Sequence, residues 1–173
     1  MPRQRVIGVI GSNSAGPETL AVAEALGAAI VRAGFSLVCG GMGGVMEAAS
    51  KGAAECPDRG AAVVIGVVPS DRHDQANEFI DVVIPTGMGY ARNTLVALAA
   101  DGLVAVEGGS GTLSEIALAW QHGRPVACLP GTGGWADRLA GEALDHRRPG
   151  ERVEPFDDPA AAVAWLASRF GEL

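Results

Sequence analysis

Short apolar runs alternate along the chain with longer stretches in which alanine and leucine recur at helical spacing. VIGVIG (6–11), FSLVCG (35–40), AAVVIGVVP (61–69), FIDVVIPT (79–86), GLVAVEGG (102–109) and PVACLPG (125–131) have the length and residue types of strands. The intervening segments predict helices. The first, 17–33, opens on Pro17-Glu18, is apolar at Leu20, Ala23, Leu26 and Ile30, and stops at Gly34. Others follow at 43–55, 89–100 and 112–123, and a last one at 158–170. Alternation of this kind predicts an α/β fold, a doubly wound parallel sheet of about six or seven strands with helices on both faces. The stretch 141–155, rich in charge and proline, is expected to be a loop with a short edge strand.

Composition narrows the function classes. A length of 173 residues suits one domain, and 48% hydrophobic against 19% charged residues excludes a disordered chain. A net charge of -7 argues against long nucleic acid as a partner. Cys39, Cys56 and Cys128 are widely spaced, without the patterns of a disulfide framework or a zinc site; Cys39 and Cys128 are expected to be buried thiols. The apolar stretch near the N-terminus is too short for a signal peptide and no later run reaches membrane-spanning length, so a cytoplasmic location is expected.

Candidate chemistry gathers after the strands. Four glycine-rich segments follow strand ends: 11–16 with Gly11, Ser12 and Asn13; 40–44 with Gly41, Gly43 and Gly44; 108–112 with Gly108, Gly109, Ser110, Gly111 and Thr112; and GTGG at 131–134. In a doubly wound sheet all four fall on the rim where ligands bind. Each following helix aims free N–H groups and the positive end of its dipole at the same place, which describes an anion cradle. Any one loop is equally a tight turn; four together favour a ligand site. Gly8, Gly11 and Gly16 lack the dinucleotide spacing, and Lys51, the sole lysine, lies inside a helix, away from any phosphate loop or Schiff-base position. Arg92, beside Tyr90 and Asn93 after the fourth strand, could clamp a phosphate or offset charge on a leaving group. Arg72, Asn13 and Thr86 rank behind it, and Trp135 either stacks on a base or packs. His73, His122 and His146 have no metal-ligand spacing. Thr112-Leu-Ser-Glu115 reads as a capping box, which would fix Glu115 in the first turn of its helix.

EGGSGTLSE (107–115) resembles the PGGxGTxxE motif of the LOG family within the SLOG superfamily, the cytokinin-activating phosphoribohydrolases often mislabelled lysine decarboxylases. CGGMGGVMEAASKGA (39–53) resembles that family's second glycine-rich segment. The likeness runs from Val6 to about Pro130. It implies a Rossmann-like fold, a homodimer or larger assembly, a nucleoside 5′-monophosphate as ligand, no cofactor for hydrolysis, and Arg92 and Glu115 as catalytic residues. Two positions depart: classical members have lysine at Asn93 and proline at Glu107. A lost cation and an added carboxylate at the rim lean away from a strongly anionic substrate and toward a sister group that includes molybdenum cofactor carriers. Two functions follow: hydrolysis of the N-glycosidic bond of a nucleoside monophosphate, or carriage of a phosphorylated ligand such as molybdenum cofactor without turnover.

Overall fold

The computed structural model describes residues 3–171. Strands β1 (Val6–Gly11), β2 (Ser36–Cys39), β3 (Val64–Val68), β4 (Val82–Pro85), β5 (Gly102–Val106), β6 (Val126–Leu129) and β7 (Glu154–Pro155) form a seven-stranded sheet. Its order is β4-β3-β2-β1-β5-β6-β7, and every pairing is parallel. All five residues of β5 are buried, as a central strand covered on both faces requires, whereas Val82 and Ile84 of the edge strand β4 stay exposed. The brief β7 is the edge strand expected within 141–155.

Helices α1 (Pro17–Arg32), α2 (Val45–Ala54) and α6 (Pro159–Arg169) cover one face, and α3 (Asn93–Ala99), α4 (Ser110–Gln121) and α5 (Gly134–Arg138) the other. Proline opens α1 and α6, and the Asp158 side chain accepts the Ala161 N–H to cap α6. α1 and α2 pack backbone to backbone. A Cβ on Gly27 would sit 1.9 Å from the Ala49 carbonyl oxygen, and one on Gly52 1.9 Å from that of Glu24.

Three boundaries differ from the sequence expectation. The segment 89–100 is a short 3-10 helix, Gly89–Arg92, that runs into α3. Five-residue α5 had no counterpart, being too short to show a period. α4 begins at Ser110, with Gly109 as its N-cap, two residues earlier than the expected start at Thr112. That shift removes the capping box: Thr112 lies in the first turn, Glu115 in the second, and no side chain caps the helix.

Candidate functional site

Strand order reverses at β1, which pairs with β2 on one side and β5 on the other. Past the carboxyl ends of β1 and β5, where ligands bind in such sheets, lies a cleft of about 480 Å³. Ser12 ties its loops together. The Ser12 carbonyl accepts the Val45 N–H at 2.9 Å, and its hydroxyl oxygen accepts the Gly108 N–H at 3.2 Å. Asn13 Oδ1 accepts the Gly43 N–H at 3.1 Å. Two glycines are required by this convergence. Gly44 has φ +62, and a Cβ there would lie 2.4 Å from the Ser12 carbonyl oxygen; Gly108 has φ +100, and a Cβ would lie 2.4 Å from the Thr112 Cβ.

The first turn of α4 forms one wall. Ser110, Gly111 and Thr112 line the cleft, no side chain caps their N–H groups, and no acidic residue lies in the turn. A helix end in this state attracts an anion. The same cleft wall holds a buried ion pair between Arg92 and Glu115, the latter in the second turn of α4. Arg92 is 8% and Glu115 6% exposed, and Arg92 Nη1 stands 3.5 Å from Glu115 Oε1. Asn93 orients the arginine: its Oδ1 accepts from Arg92 Nη1 at 2.6 Å, and its Nδ2 donates to Ser114 Oγ at 2.9 Å. Arg92 Nη2 donates to the Gly40 carbonyl at 3.4 Å, while Arg92 Nε is buried without a partner. Burial pushes the Glu115 carboxyl up to about 7, and the Arg92 charge only partly opposes that rise.

Of the residues singled out from sequence, Gly11, Ser12, Asn13 and Arg92 line the cleft, as do Gly109, Ser110, Gly111, Thr112 and Glu115. Gly41, Gly43, Gly44 and Gly108 are not in its wall; the last three shape the loops behind it. The fourth glycine loop does not join the cleft. It packs behind the third, where Trp135 N–H bonds to the Gly108 carbonyl and Ala136 N–H to that of Glu107. The Trp135 ring carries the Arg138 guanidinium at 5.0 Å. Arg72 pairs with Asp74 at the surface, Thr86 donates to the Val68 carbonyl, and Lys51 pairs with Glu24. All three cysteines are buried free thiols, and no group of metal-binding side chains occurs among the described residues.

Glu107 is a correction. Its carboxylate does not line the cleft; its Cγ lies beside Gly133, with Oε2 buried and unpartnered. Its φ of +55 is closed to proline, so the residue departs from the motif in backbone as well as charge. Asn93, Tyr90, Met42 and Met46 also line the cleft, and none was picked as a site residue from the sequence. Adjacency to Arg92 marked Tyr90 and Asn93, and Asn93 also departs from the family's lysine; nothing local marked Met42 and Met46.

A parallel sheet of this order, with a glycine-built cleft at its switch point, defines a Rossmann-like α/β protein. A model of the SLOG cluster4 family matches residues 4–162, and the chain belongs to that family. The molybdenum cofactor binding protein of Rippkaea orientalis is 32% identical, with a TM-score of 0.82 over 96% of this chain and 98% of that one. The molybdenum cofactor carrier protein of Chlamydomonas reinhardtii is 35% identical, with a TM-score of 0.79 over 97% and 100%. A cytokinin riboside 5′-monophosphate phosphoribohydrolase of Mycobacterium marinum is 29% identical over 170 residues, 86% of this chain and 87% of the relative. No helix among the described residues is long and apolar enough to cross a membrane.

Proposed function

We propose that the protein binds a phosphorylated pterin, molybdenum cofactor, and carries it without turnover. The observation that carries this reading is the uncapped first turn of α4, whose Ser110, Gly111 and Thr112 face the cleft with no acidic residue in that turn. The phosphate would dock there. A volume of about 480 Å³ falls in the range of small-molecule sites, and Met42 and Met46 give the wall apolar surface. Arg92 is already held by Asn93, Gly40 and Glu115, which suits a binding wall. The two solved relatives named for the cofactor match nearly the whole chain at 32% and 35% identity.

The Arg92–Glu115 pair favours a second reading, a phosphoribohydrolase. Water would displace the base from a nucleoside 5′-monophosphate through an oxocarbenium-like state, leaving free base and ribose 5-phosphate. Glu115 would orient the water or hold the ribose hydroxyls, and Arg92 would offset charge on the departing base. One experiment separates the two. The purified protein is incubated with a panel of nucleoside monophosphates, free base is followed by chromatography, and cofactor binding is measured by fluorescence quenching. Carriage predicts saturable cofactor binding and no base release. Base release that Glu115→Gln abolishes would establish the hydrolase and overturn the carrier.

A further inference from the structure

Tyr90 is 92% exposed, yet it lines the cleft. It is the only aromatic residue in that wall, and among the described residues no ring or guanidinium packs on it. Its backbone is fixed all the same. The 3-10 helix Gly89–Arg92 is anchored by the Gly89 N–H to the Pro69 carbonyl at 3.0 Å, and Gly87 and Gly89 turn the chain into it at φ +63 and +56. Two residues on, Arg92 is buried and lines the same cleft. One turn therefore sets a free aromatic face and a buried guanidinium on the same cavity.

The α4 terminus reads a phosphate and nothing else of the ligand. A planar heterocycle attached to that phosphate needs an apolar face, which a tyrosine ring supplies with few rotatable bonds to freeze. We propose that Tyr90 is the stacking platform for the heterocycle of the bound ligand, setting affinity for the ring system independently of the phosphate. This rests on the phosphorylated-ligand reading of the cleft.

The full chain, Tyr90→Phe and Tyr90→Ala are titrated calorimetrically with molybdopterin, with guanosine 5′-monophosphate and with ribose 5-phosphate, which has a phosphate but no heterocycle. Circular dichroism and light scattering check fold and mass; a side chain this exposed can be removed without opening the core. Loss of a base–aromatic stack weakens binding by about 5- to 150-fold. Tyr90→Ala should lose that much for whichever heterocyclic probe the wild type binds, Tyr90→Phe should stay within about twofold of wild type, and ribose 5-phosphate should show no loss in either variant. Wild-type-like heterocycle binding by Tyr90→Ala overturns the proposal, as does a drop in assembly mass that accounts for the weakening, since the ring would then serve a contact between copies. If the wild type binds neither heterocyclic probe, the ligand reading itself falls, a result distinct from an insensitive variant.

Discussion

Glu115 makes the sharpest prediction. Its ordinary value of 4.5 rises to about 7 because burial penalises the ionised form. Between these values the folded protein holds a proton that the unfolded chain has released, so stability falls as pH rises through this window and the loss is complete above about 7. A shift of this size corresponds to about 3 kcal/mol. Glu115→Gln keeps the shape and cannot titrate. It leaves Arg92 without its carboxylate, which changes absolute stability, but the pH slope assigned to Glu115 disappears. Urea unfolding at intervals from about pH 4.5 to 8 should show wild type losing about 3 kcal/mol relative to the variant, equivalent to roughly 6–12 °C in Tm for a chain this size. Asp101 and Asp145 titrate in both proteins and cancel in the difference. Parallel curves across that range would refute the assignment.

Three further perturbations test the frame around the site. Asp101 is buried; burial opposes its ionisation, but Arg3, the Val6 N–H and Arg5 overcome that and hold the carboxyl below its usual range. Its contribution is present above the ordinary carboxylate value and lost as pH falls through the folded one, and Asp101→Asn should cost about 3 kcal/mol at neutral pH by urea unfolding. Gly27→Ala and Gly52→Ala each drive a methyl into a carbonyl oxygen of the facing helix. The overlap should outweigh the gain in helix propensity and lower stability by about 2 kcal/mol; an unchanged Tm would show that α1 and α2 can separate freely. Glu107→Pro demands a φ near -65° where the chain has +55, and it deletes the N–H that bonds to Thr132 Oγ1. Thermal melts should show a loss of about 3 kcal/mol or more, whereas Glu107→Gly should be neutral or stabilising by up to about 1 kcal/mol.

The strands were legible because a parallel sheet buried on both faces writes itself as unbroken apolar runs, and β1 falls within the very residues that the pattern marked. The glycine-built loops of the cleft were legible for a related reason, since loops that bring backbones together need glycine wherever a Cβ would collide, as at Gly44 and Gly108. What failed was non-local. Thr112-x-x-Glu115 satisfies the capping pattern, yet Gly109 takes an extended conformation and starts the helix first. Glu115 is thereby freed to turn toward Arg92, twenty-three positions away in sequence, and no pattern of four residues can register such a partner. Glu107 was misjudged in the same way. Its charge was visible, but its direction depends on a left-handed backbone that sequence spacing does not report.

The electrostatics of the cleft bear on which function it supports. Among the described residues, Arg92 and Glu115 are the only charged ones in its wall. With Glu115 ionised they cancel, and attraction for an anion comes from the α4 terminus alone, equivalent to roughly half a charge. With Glu115 protonated the wall gains a full positive charge, in a chain whose net charge of -7 otherwise repels anions. Anion binding and protonation of Glu115 therefore favour each other, and by linkage each must strengthen the other equally. A hydrolytic mechanism in which Glu115 orients the water needs the ionised carboxylate at the moment the phosphate is bound, which is the state that binding disfavours. A carrier has no such requirement: it gains affinity from the protonated acid and releases its ligand more readily as that proton leaves. The predicted signature is proton uptake on ligand binding near pH 7, measured as a dependence of binding enthalpy on the ionisation heat of the buffer. It should vanish in Glu115→Gln, and an uptake unchanged in that variant would refute the coupling.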